Sequence, residues 1–173
     1  NAETGRLSSS NPNLQNIPAR SDLGREVRKG FVASPNTVLV DVDFSQFEMR
    51  LGAHYSQDEN LMRIFKLGLD PHTDTAMRAF GKTKAEVESK EGKLLYRAPC
   101  KNVNFGVFYG LQDQGLLDLM ATTYATAGMD LPEEIDRGWC ERFIDNWFEN
   151  LYPGVKNNIV EQEYRAQRYG IVW

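Results

Sequence analysis

Cysteine is scarce in this chain. Only Cys100 and Cys140 occur, forty positions apart, with no metal-ligand spacing. That excludes a disulfide framework and a zinc site, and leaves two reduced core thiols as the expectation. Long apolar runs are missing too. None approaches the roughly 20 residues of a membrane span, and no signal peptide is present, so no membrane partner is expected and a cytoplasmic location is the default. Positive charge is not in excess: the net charge is −4 and the pI about 5.3. A generic polyanion binder is thereby disfavoured, and any nucleic-acid contact must come from local clusters. Internal repeats and low-complexity tracts are also lacking.

What is present suits a soluble globular domain. Of 173 residues, 41% are apolar and 25% charged, enough for a real core. The chain opens on Asn1 and closes on the apolar Gly170-Ile171-Val172-Trp173. Both ends read as cut, so a piece of a longer polypeptide is expected. Residues 1–24 are polar and rich in turn formers. Residues 26–33 and 37–43 read as two strands joined at Pro35-Asn36, an antiparallel hairpin. From Ser45 onward the spacing predicts helices over 45–55, 58–67, 71–80, 84–91, 98–110, 113–126, 133–149 and 154–169. Gly110, Gly128 and Pro153 punctuate them.

Two clusters carry chemistry. Asp43 would stand where a strand gives way to a helix. A charge at the end of a buried strand needs a partner. A divalent cation is one, and capping the next helix is the plainer alternative. Asp41 either lies near such an ion or sits on a solvent-facing edge. Glu48 fits a capping box with Ser45. The second cluster is Arg97, Lys101, Phe105 and Tyr109, spaced four apart and so on one helix face. Two cations suit phosphate oxygens and two aromatics suit a flat base. A solvated charge pair followed by core aromatics gives the same pattern. Pro99 is comfortable only in a first helical turn, which puts the helix start near Ala98 and the positive helix end beside Arg97. His72, after Asp70-Pro71, and His54 each read most simply as structural.

Taken together these residues resemble family A DNA polymerases, the DNA polymerase I family. The run from Thr4-Gly5-Arg6 to Asn16-Ile17-Pro18 resembles the family's primer-template segment. Asp43-Phe44-Ser45-Gln46-Phe47-Glu48-Met49-Arg50 resembles its first catalytic motif. Arg97-x-x-x-Lys101-x-x-Asn104-Phe105-Gly106-x-x-Tyr109-Gly110 resembles its nucleotide-binding helix. Asp70-Pro71-His72 resembles the segment that supplies a phosphate-contacting histidine. The resemblance runs from about Thr4 to the C-terminus.

The resemblance implies an α+β fold: a partial antiparallel palm sheet plus the helical fingers of a right-hand polymerase. Residues 1–55 would be partial palm, 56–150 fingers and 151–173 the return toward the palm. It implies template-directed addition of deoxynucleotides to a primer by two-metal transfer. The partners would be primer-template DNA and deoxynucleoside triphosphates, with no obligate protein partner. It assigns catalysis to Asp43, Lys101 and Tyr109. Two Mg²⁺ ions would be held by Asp43 and the Phe44 carbonyl, with a further carboxylate outside this chain. The nucleotide would meet Gln46, Glu48, His72, Arg97, Lys101, Phe105 and Tyr109, with Glu48 excluding a ribose 2′-hydroxyl. Arg6, Asn13, Gln15 and Asn16 would touch the DNA. The chain departs from the pattern at Ala98, where many members carry a second arginine, and at Pro99 and Asp41. Without the second catalytic carboxylate, residues 1–173 alone are expected to be inactive. A single-subunit RNA polymerase and a noncatalytic nucleic-acid-binding relative are the alternatives. Gln46 and Glu48 weigh against the first, and the intact Asp43, Arg97, Lys101 and Tyr109 against the second.

Overall fold

A computed structural model describes residues 7–18 and 21–170. The chain divides into two compact units, Asn1–Phe44 and Ser45–Trp173, each taken here by itself.

The first unit corrects the expected fold class. No strand or sheet occurs among the described residues. The first three residues of the expected first strand, 26–28, lie instead in helix α1, Asp22–Arg28, and 29–33 are turn and irregular chain. Ser21 caps it by accepting from the Gly24 N–H at 3.1 Å, and Lys29 pairs with Glu26 at 2.7 Å. These local bonds satisfy the helix start and outweigh the β-preference of a single Val27. The turn itself is present: Thr37 N–H donates to the Ser34 carbonyl at 3.0 Å, and Asn36 is left-handed with φ 62°. Beyond it, residues 38–43 belong to neither a strand nor a helix. Val38, Val40 and Val42 are 77–81% exposed, and Leu39 on the other side is 67% exposed. Alternating valines make a strand only when a neighbour takes up their hydrogen bonds and one face is covered. A two-stranded hairpin alone is marginal. Asp43 is therefore not at the end of a buried strand.

Every regular element of the second unit's described residues is helical. Helices α2 (Phe47–Ser56), α3 (Glu59–Lys66), α4 (Pro71–Phe80) and α5 (Lys84–Glu88) lead to α6 (Lys90–Gly92). A wide π turn over Lys93–Arg97 joins α6 to α7 (Ala98–Gly106), which tightens into a 3₁₀ turn at Val107–Tyr109. Helices α8 (Asp113–Thr126), α9 (Arg137–Asn146) and α10 (Pro153–Tyr169) complete it, with a second π turn over Trp147–Leu151. Side-chain caps mark several starts. Asp58 accepts from Asn60 and Leu61, Asp70 from Thr73, Asp136 from Trp139, and Thr83 with Glu86 forms a capping box.

Both π turns stand two residues ahead of a proline, Pro99 and Pro153. A proline inside a regular helix clashes with the carbonyl four residues back and leaves it without a donor. Ahead of Pro99 the wider turn, with Ala98 N–H on the Lys93 carbonyl, lets the helix pass that point without ending. Ahead of Pro153 the turn closes with Tyr152 N–H on the Trp147 carbonyl, Tyr152 leaves helical geometry (φ −139°, ψ 60°), and α10 starts afresh with its proline in the first turn. The helix carrying Arg97 therefore does not begin at Ala98, and Arg97 has no free helix end beside it.

The core lies between α2, α3, α4, α7, α8, α9 and the start of α10. Met49, Leu61, Ile64, Val103, Leu116, Met120, Trp147 and Tyr152 are completely buried. Cys100 and Cys140 are buried free thiols, and burial raises both, Cys140 to about 11. No helix among the described residues is long and apolar enough to cross a membrane.

Candidate nucleotide-binding site

Helix α4 packs against α7, and their apposed ends gather several of the expected site residues. Pro71 opens α4 in the first-turn position that suits it, and the Asp70 side chain accepts from the Thr73 N–H at 2.7 Å. From the π turn, Arg97 reaches across to this cap. Its Nη2 lies 3.2 and 3.1 Å from the two Asp70 carboxylate oxygens, and its Nε donates to Thr73 Oγ1 at 3.3 Å. Burial raises the Asp70 carboxyl, but Thr73 and Arg97 outweigh it and hold the group below the usual carboxylate range. Arg97 is thus ordered by an acidic neighbour.

His72, one turn-position further, is 1% exposed. Its ring lies 5.0 Å from that of Phe105 on α7. Desolvation lowers its pKa to about 4; Asp70 opposes this, while Arg97 and Lys101 add to it. The imidazole is therefore neutral at physiological pH, and its buried Nε2 has no hydrogen-bond partner. Lys101 is exposed and Phe105 half-buried. Arg97, Lys101, Phe105 and His72 thus come together at the α4–α7 junction.

Tyr109, at the end of the 3₁₀ turn, meets α2. Its hydroxyl donates to Glu48 Oε1 at 3.3 Å. The expected capping box at Ser45 does not form. The residue before α2 is Gln46, left-handed with φ 57°, and it makes no side-chain cap. Ser45 instead offers its carbonyl to Arg50 Nε at 2.8 Å. With no helix N–H to reach back to, Glu48 is available to Tyr109. The Gln46 Oε1 is buried without a partner. Beside Glu48 and Tyr109 opens a cleft of about 300 Å³, walled by Leu51, Gly52, Phe108 and Ile159. A Cβ on Gly52 would lie 2.5 Å from the Phe108 ring, so only glycine permits this approach.

In the first unit, Asn13, Gln15 and Asn16 are exposed on a 3₁₀ turn, Leu14–Asn16. Asn13 Oδ1 accepts from the Gln15 N–H at 3.1 Å, and Gln15 Nε2 donates to the Leu7 carbonyl at 3.0 Å. Arg6 lies outside the described residues. Asp41, Asp43 and Phe44 are exposed. No group of three or more His, Cys, Asp or Glu gathers among the described residues. Two dications about 4 Å apart need more donors than this. The side chains present do not build a two-ion centre.

Sequence reasoning gave no role to Asn104, a residue at the heart of the junction. It is fully buried and bonds to His72, Thr75 and Trp147. Its signal was an amide inside the otherwise apolar stripe Cys100, Val103, Val107 at helical spacing. Its partners lie far off in sequence, which no local pattern reveals.

Comparison with known proteins identifies the family. DNA polymerase I of Lactococcus lactis subsp. cremoris (strain MG1363) is 44% identical over 163 residues, covering 92% of this chain and 16% of the relative. The thermostable DNA polymerase I of Thermus aquaticus is 40% identical over 169 residues, 98% of this chain and 18% of the relative. The chain therefore spans less than a fifth of the length of these two relatives. Among solved structures, the POL domain of Pol1 from M. smegmatis, in complex with DNA primer-template and dNTP, superposes with a TM-score of 0.75. It is 32% identical, and the match covers 99% of this chain and 27% of that one. The family model for DNA polymerase family A matches residues 1–173, the whole chain, and the chain belongs to that family.

Proposed function

We propose that this chain is the nucleotide-holding part of a template-directed DNA polymerase, presenting a deoxynucleoside triphosphate for addition to a primer 3′ end. One observation carries the reading. At the α4–α7 junction a neutral, buried imidazole with an unpartnered Nε2 lies against an aromatic ring, Phe105, within the electrostatic reach of two cations, Arg97 and Lys101. That set suits a triphosphate joined to a flat base. Family membership and the dNTP in the M. smegmatis complex support it.

In this reading residues 56–150 are the fingers. Arg97 and Lys101 neutralise the triphosphate and His72 donates a hydrogen bond to it. Phe105 and Tyr109 pack against the base and the templating position. Glu48, held by Tyr109, lies beside the sugar with Gln46, and its bulk excludes a 2′-hydroxyl. Asn13, Gln15 and Asn16, with Arg6, follow the primer-template. Divalent metal use accompanies the family. The finer assignment is Mg²⁺ contact by Asp43 and the Phe44 carbonyl, a single carboxylate that needs further donors. The chain's own contribution to catalysis is positioning: fixing the triphosphate before attack converts an encounter into an oriented reaction. A cytoplasmic site of action belongs to the same reading.

The sugar contact tests it. In the complete polymerase, Glu48→Ala should raise the incorporation of ribonucleotides relative to deoxynucleotides by about tenfold, the equivalent of about 1.4 kcal/mol of lost discrimination. Glu48→Gln keeps the side chain's volume and an acceptor for Tyr109, so it should retain most of the discrimination. Unchanged sugar selection in Glu48→Ala would contradict the placement of the nucleotide.

A further inference from the structure

The polar atoms around His72 allow one consistent placement of protons. The Trp147 indole N–H can only donate. It lies 2.7 Å from Asn104 Oδ1, and this fixes which end of the Asn104 amide is oxygen. The amide nitrogen then faces Thr75 Oγ1 at 3.0 Å and His72 Nδ1 at 3.1 Å, with the Pro71 carbonyl more distant at 3.4 Å. Thr75 has the Pro71 carbonyl at 2.6 Å and the Asn104 Oδ1 only at 3.4 Å, so its single proton goes to the carbonyl. It therefore accepts from the Tyr152 hydroxyl at 2.7 Å and from Asn104. Both amide hydrogens of Asn104 are engaged, one by Thr75 and the other by His72 Nδ1. An Nδ1 that accepts carries no proton. In a neutral ring the proton then sits on Nε2, the buried atom with no partner in the protein.

We infer that Asn104, oriented by Trp147, is a positioning residue that holds His72 as an imidazole with its proton on Nε2. Its functional meaning rests on the reading of His72 as a triphosphate contact. With the proton there, His72 offers a hydrogen-bond donor to an anionic oxygen. With the proton on Nδ1, it would turn a lone pair toward that oxygen and repel it. The ring stays uncharged among its neighbours: Asp70 at the start of α4, Arg97 in the π turn, Lys101 on α7 and the Tyr152 hydroxyl beyond Thr75. A neutral donor is also undemanding. It adds selectivity for an acceptor without a further buried charge, which would cost free energy whenever the nucleotide left. Trp147, far from α4 in sequence, thereby influences the chemistry of a residue it does not itself bond.

His54 and His72 are the only histidines in the chain, so their imidazole nitrogens are separable in an ¹⁵N-labelled sample, with His54→Gln assigning the pair. Long-range ¹H–¹⁵N correlations read the tautomer directly. Between about pH 5 and 8 the unaltered chain should show His72 protonated on Nε2 alone. Asn104→Asp keeps an oxygen for Trp147 but presents an acceptor to Nδ1, so a proton should move onto Nδ1. Trp147→Phe removes the orienting donor and should give mixed tautomers. An Nδ1-protonated His72 in the unaltered chain overturns the inference, and needs no variant to fold. So does an unchanged tautomer in a folded Asn104→Asp. In the complete polymerase Asn104→Asp should weaken nucleotide binding about tenfold, and should have no further effect in a His72→Gln background. If His72→Gln leaves nucleotide affinity unaltered, the triphosphate contact fails, while the spectra still decide where the proton sits.

Discussion

Replacing Asp70 with asparagine should tighten nucleotide binding. Arg97 is the stronger of the two cations at the α4–α7 junction, because its planar fork suits phosphate oxygens. In this structure that fork is turned onto Asp70, with both carboxylate oxygens within 3.2 Å of Nη2. A triphosphate would have to displace or share with a carboxylate whose lowered pKa keeps it ionised at neutral pH. The pair is only partly sheltered, with side-chain exposures of 29% for Arg97 and 39% for Asp70. Pairs of that kind contribute roughly 0.2–1 kcal/mol. Releasing Arg97 should therefore improve affinity by about 1.4- to 5-fold. Asparagine keeps an oxygen for the Thr73 N–H, so the α4 cap should survive and the melting temperature should change little. Titration of a fluorescent deoxynucleotide into the complete polymerase on primer-template measures the gain. Added salt should shrink the difference between the two proteins, since the competing charges are near solvent. Weaker or unchanged nucleotide binding with an unaltered melting temperature would refute the reasoning. It would mean that Asp70 helps to aim Arg97 rather than withholding it.

Two further outcomes concern stability. His72 has a native pKa of about 4 against 6.5 unfolded, so the unfolded chain takes up a proton first as pH falls. The stability present above pH 6.5 should drain away by about 3 kcal/mol down to pH 4, and His72→Gln should lose less over that window; equal acid sensitivity in urea unfolding would contradict this. Asp58, 3% exposed, accepts from Asn60 and Leu61 at the start of α3 and from the Gly154 N–H at 2.8 Å at the start of α10. Asp58→Ala removes a cap and strands a donor, which should cost roughly 2–4 kcal/mol in the same assay; a loss under 1 kcal/mol would contradict it.

The helices were legible because their signals are local. Asp58, Asp70-Pro71, Thr83 with Glu86, Gly81 and Gly110 each act within one turn, and the elements they bound lie close to the expected spans. The hairpin failed because a strand depends on what lies beside it. Val38, Val40 and Val42 alternate correctly and still find no neighbour among the described residues. Ser45-x-x-Glu48 has the composition of a capping box, yet the left-handed Gln46 shifts the helix start past Ser45. Pro99 pointed to a helix start because a π turn ahead of a proline leaves no mark in composition. At the site, the cations and aromatics of α7 were visible as a spacing. The acidic partner of Arg97 and the amide that orients His72 were not, since Asp70 lies 27 residues from Arg97 and Asn104 lies 32 residues from His72.

The central claim is that the α4–α7 junction holds the triphosphate. Lys101→Ala tests it most directly, because Lys101 is exposed and its loss leaves the core untouched. Nucleotide affinity and primer-template affinity are measured separately on the complete polymerase. Losing a charged hydrogen bond of about 1.5–3 kcal/mol should weaken nucleotide binding roughly tenfold to a hundredfold. Primer-template affinity should stay nearly intact. Weakened DNA binding with unchanged nucleotide affinity would place Lys101 on the DNA path and contradict the account.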